Sequence, residues 1–135
     1  MLVKTFGCAV QGINATLVTI ETNISGGVFF FMVGLPDSAV KESQHRIGAA
    51  LKNIGLKIPG KGVTINMAPA DIKKEGSAYD LTTAIGILAA DEKVNSDRLG
   101  DFIIMGELSL DGELRPIKGV LPIAIEAKER GFKGM

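Results

Sequence analysis

The sequence predicts an α/β (α+β) domain in which strands are interleaved with three helices. Val63, Ile65 and Met67 alternate with Thr64 and Asn66, the period of two that marks a strand with one buried face. Leu81, Ala84, Ile85, Leu88 and Ala89 fall at spacings of 3, 4, 7 and 8, which line one face of a helix. Asp111-Gly112, set between Leu108, Leu110 and Leu114, signals a hairpin with a two-residue turn at positive φ.

Taken in order, residues 2–10 and 13–22 read as strands joined at Gln11-Gly12, and Asn23 to Gly27 is a turn cluster. A third strand, Val28 to Val33, contains Phe29, Phe30, Phe31 and Met32, and its continuous apolar run predicts a central strand covered on both faces. Leu35-Pro36-Asp37-Ser38 starts the first helix, with Val40, Ile47, Leu51 and Ile54 as its buried stripe and Gly55 as its stop. Its outer face carries Lys41, Glu42, His45, Arg46 and Lys52; His45 has no partner at metal-ligand spacing and reads as a surface residue. Leu56 to Gly62 is a loop before the Val63 strand, which Pro69 ends by removing a ladder donor.

The charged turn Asp71, Lys73, Lys74, Glu75 and Gly76 leads to the second helix. Ser77 and Asp80, three residues apart, predict a capping box at its start. A turn held between a rigid strand and a rigid helix is where a fold displays chemistry. Beyond the polar stretch Asp91 to Gly100, Phe102 to Met105 reads as a buried strand and Leu108 to Leu114 as the hairpin. Arg115 to Gly119 leads to the third helix, with Pro122 in its first turn, Ile123, Ala124 and Ala127 inward, and Gly131 at its end. Phe132 to Met135 reads as the start of a further strand, so the chain is expected to be a fragment of something longer.

With 135 residues and 46% apolar composition the chain suits one globular core rather than disorder. No run of about 18 apolar residues and no secretory leader pattern is present, so a cytoplasmic protein without a membrane partner is expected. The single Cys8 cannot form an internal disulfide and reads as a small buried hydrophobe. A formal net charge of zero argues against a strongly electrostatic nucleic-acid binder. Charge is nonetheless uneven: residues 41–61 carry Lys41, Arg46, Lys52, Lys57 and Lys61 against Glu42 alone. A solvated helix face is the simpler account of that stretch.

Four strings together carry a resemblance: Val33-Gly34-Leu35-Pro36-Asp37-Ser38-Ala39-Val40-Lys41-Glu42-Ser43, Ile65-Asn66-Met67-Ala68-Pro69-Ala70-Asp71, Lys74-Glu75-Gly76-Ser77 with Tyr79-Asp80-Leu81, and Gly106-Glu107-Leu108-Ser109-Leu110-Asp111-Gly112. The chain resembles the N-terminal domain of the magnesium-chelatase-like AAA+ proteins of bacteria, the YifB and ComM family. The resemblance implies a fold like the Lon proteolytic domain and ribosomal-protein domain 2, a mixed sheet with three helices forming a single Lon-like domain over residues 1–135. It also implies an ATPase module beyond residue 135, using ATP and Mg, and DNA branch-migration activity in ComM-like members. No Gly-x-x-x-x-Gly-Lys-Ser/Thr string occurs in these residues, so no cofactor is expected in this stretch.

Three functions follow from that comparison. As a peptidase, the chain would need a serine and a lysine base, but the Lon serine position falls on Ala78 and the lysine position on Leu121. Ser77 and Lys118 are displaced substitutes and weak catalytic candidates. As a nucleic-acid module, it would use Lys41, Arg46, Lys52, Lys57 and Lys61, with Lys73 and Lys74 beside a helix N-terminus suited to phosphate. As an assembly domain docking on its own ATPase module and neighbouring subunits, it would use the loop Asp71, Glu75, Gly76 with Ser77 and Asp80, Asp71 bonding backbone amides or Arg115. No metal ligands are expected.

Overall fold

A computed structural model describes all of residues 1–135. Strands β1 (Leu2–Gln11) and β2 (Asn14–Ser25) form an antiparallel hairpin, with Leu2 opposite Asn23 and Gln11 opposite Asn14. Gly12 turns the chain between them at φ 61, a conformation that costs glycine little. Strand β3 (Phe29–Val33) follows, then helices α1 (Ser38–Lys41) and α2 (Ser43–Asn53), then strand β4 (Gly62–Ala68). The sheet order is β1-β2-β4-β3, with β4 antiparallel to β2 and parallel to β3. A parallel pair needs a crossover, and α1 and α2 supply it.

Helix α3 (Asp80–Ala90), the short ribbon of β5 (Glu107–Leu108) and β6 (Leu114–Arg115), and α4 (Val120–Glu129) complete the chain. With α1 and α2 a single run interrupted at Glu42, the architecture is the expected mixed sheet with three helical bodies. One sheet face supplies Val18, Ile20, Val63, Ile65 and Met67 to the main core, against Ile47 and Leu51 of α2 and Ala84, Ile87 and Leu88 of α3. Each such aliphatic side chain contributes roughly 1.5–3 kcal/mol. On the opposite face Cys8 packs with Ile103, Ile123 and Ala127, so α4 covers the β1 and β2 end.

Several expectations need correction. β3 is an edge strand, not a central one: it pairs only with β4, and Phe31 is 59% exposed. Its apolar run misleads because Phe30 and Met32 pack on the core while Phe29, Phe31 and Val33 alternate to the other face. Phe102 to Met105 is extended but makes no ladder; it is held by single bonds such as Ile104 N–H to the Phe6 carbonyl at 2.8 Å. The following Phe132 to Met135 contributes one isolated bridge, Gly134 to Phe102. The hairpin exists, but its loop spans residues 109–113, with Gly112 alone at positive φ, 92°. Helix α3 is buried nearly all round, so Ile87 is fully buried while the expected Leu81 and Ile85 are only half-buried. In α2, Ile54 passes beyond the stripe and is exposed, and Gly55 closes the helix at φ 84.

Candidate functional site

The turn after β4 is fixed from below. Lys74 N–H donates to the Leu35 carbonyl at 3.0 Å, Asp37 N–H donates to the Lys74 carbonyl at 2.9 Å, and Gly76 N–H donates to Asp37 Oδ2 at 3.2 Å. Asp37 also caps α1, its Oδ1 accepting from Val40 N–H at 2.8 Å. Lys74 is fully buried, and its Nζ donates to the carbonyls of Gly34, at 2.7 Å, and Pro69. Burial lowers its pKa, with Asp71 opposing the shift. Lys74 is therefore a clamp under the turn and does not reach the phosphate-binding surface expected for it. Asp71, Lys73 and Glu75 stay exposed, Lys73 and Glu75 lying 3.6 Å apart. Arg115 pairs with Glu107 at 3.7 Å rather than with Asp71.

The expected capping box is not made. Tyr79 occupies the cap position of α3 and gives no side-chain bond, because Ser77 and Asp80 are both used elsewhere. Asp80 is buried and takes two bonds from Arg46, at 2.7 Å and 2.9 Å, plus Leu108 N–H at 3.1 Å. Arg46 also donates to the Ala39 carbonyl at 2.8 Å. This bidentate pair ties α2, α3 and β5 together, and the bond to Asp80 raises the arginine pKa. Arg46 thus leaves the basic face to which its spacing assigned it.

Ser77 Oγ donates to Glu107 Oε1 at the wall of a cavity of about 360 Å³ beside the start of α3. Glu75, Ala78, Cys8 and Lys118 also line it. The two weak catalytic candidates, Ser77 and Lys118, therefore share one cavity, although the hydroxyl is bonded to a carboxylate. Ala78 faces the same space, whereas Leu121 lies 70% exposed on α4. Burial, reinforced by Glu126 and offset by Arg130, pushes the Cys8 thiol up to about 11, and burial also raises the Tyr79 phenol. Neither is poised as a nucleophile at neutral pH. Glu107 and the Arg46–Asp80 pair are the participants the spacing missed; their partners lie about 30 positions away, which periodicity does not reach.

Lys41, Lys52, Lys57 and Lys61 are exposed and make no ion pair, and His45 is exposed. No group of three His, Cys, Asp or Glu residues is placed to hold a metal ion. No helix is long and apolar enough to cross a membrane.

Residues 20–135 match the family described as subunit ChlI of Mg-chelatase. The competence protein ComM of Haemophilus influenzae is 46% identical over 122 residues, 90% of this chain and 24% of that protein. The uncharacterized protein YifB of Escherichia coli is 44% identical over 126 residues, 93% of this chain and 25% of that protein. Lon protease 2 of Bacillus subtilis is 32% identical over 96 residues, 71% of this chain and 17% of that protein. The chain spans about a quarter of the length of the ComM and YifB relatives it matches. With the mixed sheet and the matched stretch in agreement, the chain belongs to the Mg-chelatase ChlI-like family, as a member of its YifB and ComM branch.

Proposed function

We propose that this chain is a non-catalytic, Lon-like domain serving a cytoplasmic AAA+ ATPase, where it assists assembly and the handling of DNA. The observation that carries the reading is the fate of the hydrolytic positions: Ala78 stands at the serine position, and Leu121, at the lysine position, points to solvent. A serine hydroxyl needs a base positioned to take its proton. Ser77 donates to Glu107, a carboxylate and hence a far weaker base than the lysine amine of that pattern, and Glu107 also faces Arg115. In this reading ATP and Mg belong to the longer members of the family. The turn Asp71 to Gly76, rigidly mounted and exposed at Asp71, Lys73 and Glu75, is the docking element for the ATPase module and neighbouring subunits. The four lysines without ion pairs support weak DNA contact as the second role.

Proteolysis is the alternative, and a serine-directed phosphonate separates the two. The chain is expected to remain unlabelled; modification at Ser77 would establish a hydrolase instead. Binding to single-stranded, duplex and branched DNA is expected to be weak and to fade as salt rises. If Lys52→Glu with Lys57→Glu leaves both affinity and salt slope unchanged, the DNA surface lies elsewhere.

A further inference from the structure

At the end of the domain where α2 stops and β4 begins, lysines from two separate segments meet. Lys57 and Lys61, on the loop between those elements, and Lys93, just past the end of α3, line one depression of about 600 Å³. Asp91 is the one acid on its wall. All three lysines are exposed, and none makes an ion pair. In the chain Lys93 stands far from the other two, beside Glu92, so the cluster exists only after folding.

The ends of the two helices set these positions. Gly55 closes α2 at φ 84 and turns the chain into the loop. Lys93 N–H donates back to the Leu88 carbonyl at 2.8 Å, closing α3 around Glu92, which is left-handed at φ 60. Glu92 itself lines the two neighbouring depressions. A side-chain carbon added at Gly55 or Gly60 would meet nothing within 4 Å, so the wall they form stays open. The amides of Lys57, Ile58 and Gly60 donate to no protein acceptor.

Three cations without partners suit an anion, and the remaining features decide which kind. No aromatic ring lines the depression, so a nucleotide base has nothing to stack on there. At about 30 Å³ per molecule the space holds about twenty waters, too roomy to grip a single phosphate. Asp91 and the negative end of α3 also oppose a compact dianion. A polyanion escapes both limits, because it keeps its own hydration and gains from each lysine in turn. Duplex DNA, with one charge per about 1.7 Å of axis, is the dense form of such a partner.

We propose that Lys57, Lys61 and Lys93 form a seat for the phosphate backbone of duplex DNA. This rests on the DNA-handling half of the function proposed above; it narrows the four lysines named there to two and adds Lys93.

Fluorescence anisotropy of a short labelled duplex, titrated with the 135-residue chain at several salt concentrations, tests the seat. With three phosphates neutralised, raising salt from about 50 to about 200 mM is expected to weaken binding about fortyfold. Lys57→Gln, Lys61→Gln and Lys93→Gln should each cut that loss to about twelvefold, a slope flatter by about 0.9. Lys41→Gln should change nothing, and Asp91→Asn should tighten the complex. Inorganic phosphate at constant ionic strength should not displace the duplex. An unchanged slope in Lys93→Gln, unchanged or weaker binding in Asp91→Asn, or displacement by inorganic phosphate would each overturn the seat. If Lys41→Gln flattens the slope while Lys93→Gln does not, the seat falls and the broader DNA reading stands on the helix face. If the parent chain binds no DNA at all, both fall. Far-UV circular dichroism confirms that each exposed-site variant folds.

Discussion

Removing the Asp80 carboxylate would strand Arg46 between α2 and α3 and leave Leu108 N–H without its acceptor. Losing one partner of a buried pair costs about 3–5 kcal/mol; Asp80→Ala is expected near the lower end, because the Arg46 side chain keeps 20% exposure. Asp80→Asn retains an acceptor for Leu108 and should lose less; urea unfolding of both variants checks the order. Cys8 gives a pH test. Its thiol is raised by burial from 9.0 in the open chain to about 11, so its contribution is fully present below pH 9 and is lost as pH rises through 11. Cys8→Ala should remove about 2 kcal/mol of the alkaline loss, seen by urea unfolding at pH 8 and pH 11. The same burial predicts that iodoacetamide labels Cys8 only after unfolding. Cys8 was legible as a buried thiol from composition. The Asp80 partner was not, because a capping serine followed by an acid is also what a buried ion pair looks like in one dimension.

At the scale of elements, α3 lies close to the sheet because its facing residues are small. A Cβ on Gly86 would meet Thr22 Oγ1 at 2.7 Å and Thr5 Oγ1 at 3.4 Å. Gly86→Ala gains about 1 kcal/mol of helix propensity but overpacks this crossing. A net loss of about 1–2 kcal/mol in a urea titration is expected; a net gain would mean that the helix can shift outward freely. Periodicity found α2, α4, β2 and β4 because in each a buried face alternates with a more open one. It misjudged β3 and α3 for one reason: an apolar run reports hydrophobicity, not the number of covered faces. Phe102 to Met105 misled similarly, since Ile103 is buried by α4 and β1 without a partner ladder.

For the whole molecule, the order of elements, the mixed sheet and the family are consistent from motif strings to coordinates. The functional surfaces were less legible. A cavity joining Ser77, Glu107 and Lys118 is assembled from three separate segments, and none announces the others. The basic stretch, likewise, divides in three dimensions: Arg46 turns to Asp80, while Lys57 and Lys61 line a depression with Lys93 and Asp91. A chain with zero net charge can therefore present a local cationic rim without the long-range field of a strongly basic protein.

Lys74 sits beneath the turn with its ammonium sealed by two carbonyls, while Lys73 beside it is open to solvent. Adjacent amines in such different settings make a built-in clock. Under reductive methylation Lys73 should react at once and Lys74 only when the turn lifts, so their rate ratio, read by mass spectrometry, measures the free energy of that opening. A partner that seats on the turn will slow the second reaction and leave the fold's global stability to be measured separately.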